Sequence, residues 1–326
     1  MTQFAMIDAA ATRLAGHARR PPLLTSPILD EIAGRGILVK PECLQHTGSF
    51  KFRGAWSALT GIGPAQRSRG VIAYSSGNHA QGIAMAAKRL NTKAMIVMPT
   101  DAPLVKIENT RALGAEVVLY ERGVEAREEV GNRLRRLHGL TLIKPFDEPL
   151  VIAGQGTVGM EIAQQSQQLG VTVGDVLVCC GGGGLTSGIA LALEELAPGL
   201  RARPVEPEGF DDVTRSLASG EIESNEVEAG GLCDAILTKS PGEVTFPIMK
   251  RLCGPGIVVT NEEVMRAMAY AFLYFKLVVE PGGAVALAAA LFHGDELDAG
   301  PVTVVLSGGN VDPAIFHEAL EKYGEQ

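Results

Sequence analysis

Residues 176–185 read VLVCCGGGGL: a short apolar run, Val176–Cys180, breaks into four glycines and passes at once into the helical pattern Leu185–Leu196. A buried strand, a bare loop and a helix form the repeating unit of a parallel α/β sheet. The same unit recurs on either side. Strands are expected at Ile37–Lys40, Val71–Tyr74, Ala94–Met98, Glu116–Tyr120, Thr141–Ile143, Val176–Cys179, Ile257–Val259 and Val302–Leu306. Helical patterns follow most of them, at Ala80–Leu90, Leu104–Leu113, Glu125–Leu137, Val158–Leu169, Leu185–Leu196 and Glu262–Phe275. The expected fold is an open, mostly parallel sheet with helices on both faces. Two other strands also run into unusual sequence: Val71–Tyr74 into Ser75-Ser76-Gly77-Asn78-His79, and Val302–Leu306 into Ser307-Gly308-Gly309-Asn310. Ligands of such sheets sit at the carboxyl ends of the strands, so all three clusters are placed where a ligand would bind.

Composition narrows the field. A length of 326 residues suits one or two domains, and 46% hydrophobic with 20% charged residues is ordinary for a globular enzyme. A formal net charge of −8 argues against nucleic acid, whose phosphates need a basic face. The cysteines, at 43, 179, 180, 233 and 253, form neither a CxxC pair nor a Cys/His cluster. That pattern argues against zinc and fits a reducing cytoplasm. The N-terminal stretch lacks a continuous apolar core after a basic start, and no run is long enough to span a bilayer. A cytoplasmic protein with no membrane partner is expected.

Each cluster has a plain and a chemical reading. Gly181 to Gly184 leave bare N–H groups at a helix N-terminus, a cradle for phosphate. No GK[ST] follows, so it is not a Walker loop. A dinucleotide loop stays open, with Glu206 at a suitable distance downstream for a ribose contact. Lys51 lies between Phe50 and Phe52 in a glycine-flanked segment, and an apolar setting favours the neutral, nucleophilic amine. The plain reading is a solvated surface charge. Ser75 to His79 form either a turn with an N-cap or a carboxylate site at a helix N-terminus, with Asn78 free to bond a ring oxygen. Ser307 either ends a strand in a turn or sets a hydroxyl against a ring nitrogen.

Taken together, TGSFKFRGA (47–55), SSGNHAQGIA (75–84), VIAGQGT (151–157), GGGGLTSG (181–188), VEPEGFDD (205–212), EPGGAVALAA (280–289) and SGGN (307–310) resemble, in order, the serine/threonine dehydratase and serine racemase family. These are fold-type II pyridoxal-phosphate enzymes, similar in fold to the tryptophan synthase β chain, with two open parallel sheets. The resemblance implies that Lys51 is the Schiff-base lysine and that Phe50 lies against the cofactor. Asn78 would bond the pyridine 3′-oxygen, Ser307 would face the ring nitrogen, and Gly181, Gly182, Gly183, Gly184 and Leu185 would hold the phosphate. Ser75, Ser76, Gly77 and His79 would surround the substrate carboxylate, with Ser76 opposite Lys51. Arg127 matches an arginine that some members use near the substrate. Glu206, Asp212 and the carbonyl of Phe210 match a magnesium site, with calcium or manganese as alternatives, and oxygen ligands suit such cations.

The implied activity is a lyase, a hydroxy-amino-acid dehydratase acting on 3-hydroxyaspartate, threonine or serine. A serine or aspartate racemase is the alternative within the family, and a nucleotide-binding oxidoreductase the one outside it. His46, beside the lysine motif, is a candidate contact for a second substrate carboxylate. Residues 1–69 and 147–326 are expected to form a large cofactor domain and residues 70–146 a small closing domain. A homodimer is expected, as is common among relatives. Only one helix follows SGGN, so no regulatory domain is expected.

Overall fold

The computed structural model describes residues 2–102, 104–121, 123–227 and 230–324. Among them nine strands form: β1 Ile37–Pro41, β2 Val71–Tyr74, β3 Ala94–Pro99, β4 Glu116–Tyr120, β5 Thr141–Leu142, β6 Gly174–Cys179, β7 Leu200–Pro207, β8 Ile257–Val259 and β9 Val302–Leu306. They make two sheets, ordered β1-β9-β6-β7-β8 and β4-β3-β2-β5. Every pairing between these strands is parallel. The smaller sheet draws only on residues 71–142. The larger draws on 37–41 and 174–306. No described helix is long and apolar enough to cross a membrane.

β7 is the strand that apolar patterning misses. Its sequence, LRARPVEP, carries two arginines and two prolines, yet residues 202–207 are buried. Arg203 is hidden because its guanidinium is satisfied on three sides. It donates to Asp175 Oδ2 at 3.2 Å, to Pro255 O at 2.9 Å and to Glu296 O at 2.6 Å. A buried charge so compensated is compatible with a strand inside a sheet.

The helix Pro149–Gln168 begins well before the expected Val158, because its glycines serve packing. A side-chain carbon at Gly154 would stand 2.7 Å from Ser57 Cβ, one at Gly156 2.8 Å from Gly188 O, and one at Gly159 2.9 Å from Ile189 Cα. Bare backbone at these positions lets this helix press against two others, Lys51–Gly61 and Gly184–Leu196.

Two of those helices, Pro149–Gln168 and Lys51–Gly61, are further joined by a buried ionic cluster. Arg53 donates to both oxygens of Glu42, each at 2.8 Å, and to both oxygens of Glu161, at 2.7 and 2.9 Å. Lys40 of β1 donates to the same Glu161 at 2.6 Å and to Pro21 O at 2.6 Å. Arg53 is 1% exposed, and Lys40 and Glu42 are fully buried. The cluster clamps β1, the segment after it and the helix that Lys51 opens. Removing one member of a buried pair strands its partner's charge, at a cost of about 3–5 kcal/mol. Arg53→Ala is therefore expected to lower the unfolding free energy by about that amount in a urea titration. A loss below about 1 kcal/mol, typical of an exposed pair, would contradict the clamp.

Candidate active site

β1 and β9 lie side by side with Pro41 opposite Leu306, so the segments leaving them run together. Three hydrogen bonds seal this meeting. Phe50 N donates to Ser307 O at 3.1 Å, Gly309 N donates to Gly48 O at 2.9 Å, and Asn310 Nδ2 donates to Thr47 O at 2.8 Å. Between them the chain bends through two left-handed residues, Thr47 at φ 61° and Gly48 at φ 73°. For a β-branched residue such as Thr47 that conformation costs on the order of 1–3 kcal/mol, and it persists only where the surroundings enforce it. The bend delivers Phe50 to the N-cap and Lys51 to the first position of its helix.

The Lys51 amine donates to Pro145 O at 2.9 Å and lies 5.0 Å from the centre of the Phe50 ring. Its removal from water pushes its pKa down to about 8, against the pull of the Glu280 carboxylate. Next to Pro145, the Phe146 ring packs on the glycine loop. A side-chain carbon at Gly182 would strike that ring, and one at Gly184 would stand 2.9 Å from Phe146 Cβ. The N–H groups of Gly181 to Leu185 donate to no described residue, and Gly184 opens a helix of 13 residues. Five donors without a described partner at a helix N-terminus are suited to an anion. The loop is braced from behind, where Gly182 O accepts from Thr245 Oγ1 at 2.6 Å.

Asn78 opens the helix Asn78–Arg89 at the end of β2. Its Nδ2 donates to Glu280 Oε1 at 2.6 Å, and its Oδ1 accepts from Asn310 Nδ2 at 2.7 Å. Ser75 makes the turn its type suggests, accepting from Gly77 N at 3.2 Å. Ser76 is half-buried and its hydroxyl bonds no described residue. A side-chain carbon at Gly77 would meet nothing within 4 Å, so that backbone faces open space. His79 is buried, with Nε2 3.1 Å from Ile143 O and Nδ1 unpartnered. Burial and the nearby Lys51 push its pKa down to about 3, so the ring is neutral. Ser307 is buried against the Cys179 thiol.

Other candidates stand apart. Arg127 is exposed, pairs with Glu128 at 2.6 Å and lies 5.9 Å from the Tyr74 ring, just before Ser75. His46 is edge-on to Phe52 and 3.3 Å from Arg89, and burial with that guanidinium lowers its pKa. Glu206, at the end of β7, accepts from Val213 N at 3.0 Å and from Thr214 N and Oγ1 at 2.7 Å each. Asp212 accepts from Asn225 at 2.6 Å on one oxygen and is unpartnered on the other. Burial and the nearby Asp212 push the Glu206 carboxyl up to about 8. Burial pushes the Asp212 carboxyl up to about 6. The described residues hold no group of three or more His, Cys, Asp or Glu side chains disposed for a metal. Nothing in the sequence alone marks Glu280 or Asn310 as a site residue. The one available signal for Glu280 is a lone carboxylate heading an otherwise apolar, alanine-rich helix.

A lysine amine held neutral-leaning beside a braced anion loop defines a class of proteins that bind a phosphorylated aldehyde covalently. Residues 14–308 match the model of the pyridoxal-phosphate dependent enzyme family, and the chain belongs to it. It is 43% identical over 314 residues to an L-threo-3-hydroxyaspartate ammonia-lyase of Pseudomonas sp, covering 96% of this chain and 95% of that one. A serine racemase of Dictyostelium discoideum is 39% identical, with 96% of each chain covered. The crystal structure of a T.th. threonine deaminase superposes with a TM-score of 0.89 at 46% identity, over 95% of this chain and 99% of that one. The dinucleotide reading of the glycine loop therefore falls. Glu206, its proposed ribose contact, is instead spent on the backbone of residues 213 and 214.

The residues present fit pyridoxal phosphate. Lys51 suits the aldehyde and the five free N–H groups suit the phosphate. Buried atoms nearby, Ser49 Oγ and His79 Nδ1, lack protein partners. Only an uncharged amine attacks an aldehyde, and Lys51 loses its proton near pH 8. In cofactor-free protein, covalent attachment of added pyridoxal phosphate should accelerate with rising pH around a midpoint near 8, followed by the visible absorbance. A midpoint at the ordinary lysine value of 10.5 would contradict the burial argument.

Proposed function

We propose that this protein eliminates water from a small 3-hydroxy amino acid, namely 3-hydroxyaspartate, threonine or serine, to give a 2-keto acid and ammonia. The observation that carries the reading is the buried Lys51 amine on Pro145 O, beside the free glycine-loop donors, in a chain that an ammonia-lyase matches almost end to end. Pyridoxal phosphate, when bound, supplies the aldehyde that takes up Lys51 and an electron sink for the substrate's α-carbon. Phe50, Lys51, Asn78, Gly181 to Gly184, Leu185 and Ser307 would hold it.

The chain's own groups do the rest. The Lys51 amine, once free, would take the substrate's α-proton. The Pro145 carbonyl offers that amine a fixed acceptor. Ser75, Ser76 and Gly77 hold the substrate carboxylate at the N-terminus of the helix Asn78–Arg89. His79 adds its backbone N–H, since its ring is engaged with Ile143 O. The unit of residues 70–146 closes on the larger one and excludes water from the reaction. Ser76, with a free hydroxyl, is also placed to act as a second acid or base. With the racemase relative, that supports inversion as a second reading.

Glu206, Asp212 and the Phe210 carbonyl form our candidate hard-cation site. Two buried carboxylates and the orphaned Asp212 Oδ2 support it. Ile28 and Ile32, exposed one turn apart on the helix Pro27–Ala33, support a homodimer.

A screen of both enantiomers of the three substrates on purified holoenzyme tests the reading. Keto acid and ammonia in equal amounts are expected, with both lost in Lys51→Ala. Inverted amino acid without keto acid would select the racemase. For the metal, magnesium should raise the Tm of the wild type and not of Asp212→Asn. An equal rise in both would remove the cation from this site.

A further inference from the structure

Glu280 has no task in the reading above. It stands at the N-cap of the helix Pro281–Phe292, where a carboxylate ordinarily accepts from the first free N–H groups, yet it makes no such bond. Its side chain turns instead to Asn78, 2.6 Å away. It is 4% exposed, and no Lys or Arg among the described residues pairs with it. A side-chain carbon at Gly308 would strike Glu280 Oε1, so the carboxylate is seated on the bare SGGN backbone beside the ring site. Glu280 N also donates to Gly308 O at 3.1 Å, which fixes the residue at both ends. Burial pushes its pKa up to about 7, while the Asn78 bond pulls it down. A carboxylate buried with no cation in contact carries a large desolvation cost, which Lys106 and Lys51 offset only from a distance.

The geometry around Asn78 shows what that residue gains. Asn78 Oδ1 accepts from Asn310 Nδ2, which also donates to Thr47 O. Asn78 Nδ2 donates to Glu280. Turning the Asn78 amide by half a revolution would set its oxygen against a carboxylate and its NH2 against another NH2, replacing two hydrogen bonds with two repulsions. With Glu280 ionised, the amide therefore has one allowed orientation. One hydrogen of Nδ2 is committed to Glu280 and one remains.

We propose that Glu280 is a positioning residue: with Asn310 it locks the Asn78 amide so that Asn78 can offer the cofactor ring a donor and never an acceptor. The ligand atom so recognised is an ionised ring oxygen. This rests on the assignment of Asn78 to the 3′-oxygen made above. Asn310 supplies the acceptor-side restraint and Glu280 the donor-side one, so neither substitutes for the other.

A double-mutant cycle on the holoenzyme tests the proposal, read by the dissociation constant of pyridoxal phosphate and by the position of its visible absorption band. Glu280→Ala and Asn78→Ala are each expected to weaken cofactor binding by roughly ten-fold or more, the value of one hydrogen bond to a charged group, and to shift the band alike. The double variant should be no weaker than Asn78→Ala alone. Glu280→Gln keeps an acceptor oxygen for Asn78 and should restore both readouts toward wild type, which a purely electrostatic role would not predict. Glu280→Met fills similar space without an acceptor and should not restore them, which a purely packing role would not predict. Multiplying losses in the double variant, or an unshifted band in Glu280→Ala, would overturn it. Should Glu280→Ala not fold, Glu280→Asp, too short to reach Asn78, carries the same expectations. Normal binding in Asn78→Ala would overturn the proposal and leave the Lys51 assignment standing. Borohydride failing to fix the cofactor on Lys51 would instead overturn the function itself.

Discussion

The clasp between residues 47–50 and 307–310 is the constraint on which the site depends. It follows from sheet order. β1 and β9 are parallel neighbours, so the segments leaving their carboxyl ends must share the same small space. Three hydrogen bonds convert that proximity into a fixed geometry, and they overcome the unfavourable left-handed turn at Thr47. Lys51, Asn78 and Ser307 come from three distant parts of the chain and depend on this one meeting for their relative placement.

Buried charge divides the molecule into two kinds of region. Below the site, Lys40, Glu42, Arg53 and Glu161 are two cations and two anions with short mutual contacts, a neutral set that favours rigidity. At the carboxyl ends of the strands the buried ionisable groups lack such partners. Among the described residues Lys51 donates to a carbonyl and Glu280 accepts from an amide, and Asp212 raises the pKa of Glu206 rather than relieving its charge. Groups whose charged forms are left uncompensated mark a site built for chemistry rather than for stability.

Much of this was legible in the sequence, for physical reasons that differ between elements. Strands such as Val71–Tyr74 and Val302–Leu306 announce themselves because burial on both faces demands a continuous apolar run. The glycine and serine clusters are readable because exposed backbone donors require missing side chains. Lys51 owes its recognition to the ordered set of motifs around it. What stayed hidden depends on partners distant along the chain. β7 is masked by Arg203, whose charge is absorbed by Asp175 and by two carbonyls. The helix at Pro149 is masked by glycines whose use is visible only once a neighbouring helix lies against them. Pro145 O and Ile143 O, which receive Lys51 and His79, are backbone atoms with no signature in the residue type.

The close approach of the helices Pro149–Gln168 and Gly184–Leu196 has a mechanical consequence. With Gly156 set against the Gly188 carbonyl, and Gly159 against Ile189, neither rod can slide past the other without a steric collision. The glycine-loop end of one helix is thus part of a single stiff body with the other. The smaller sheet is joined to that body by two short chain crossings, near residues 61–70 and 143–148. Any rotation of one sheet against the other would twist those two tethers, and the second tether carries the very carbonyls on which Lys51 and His79 rest.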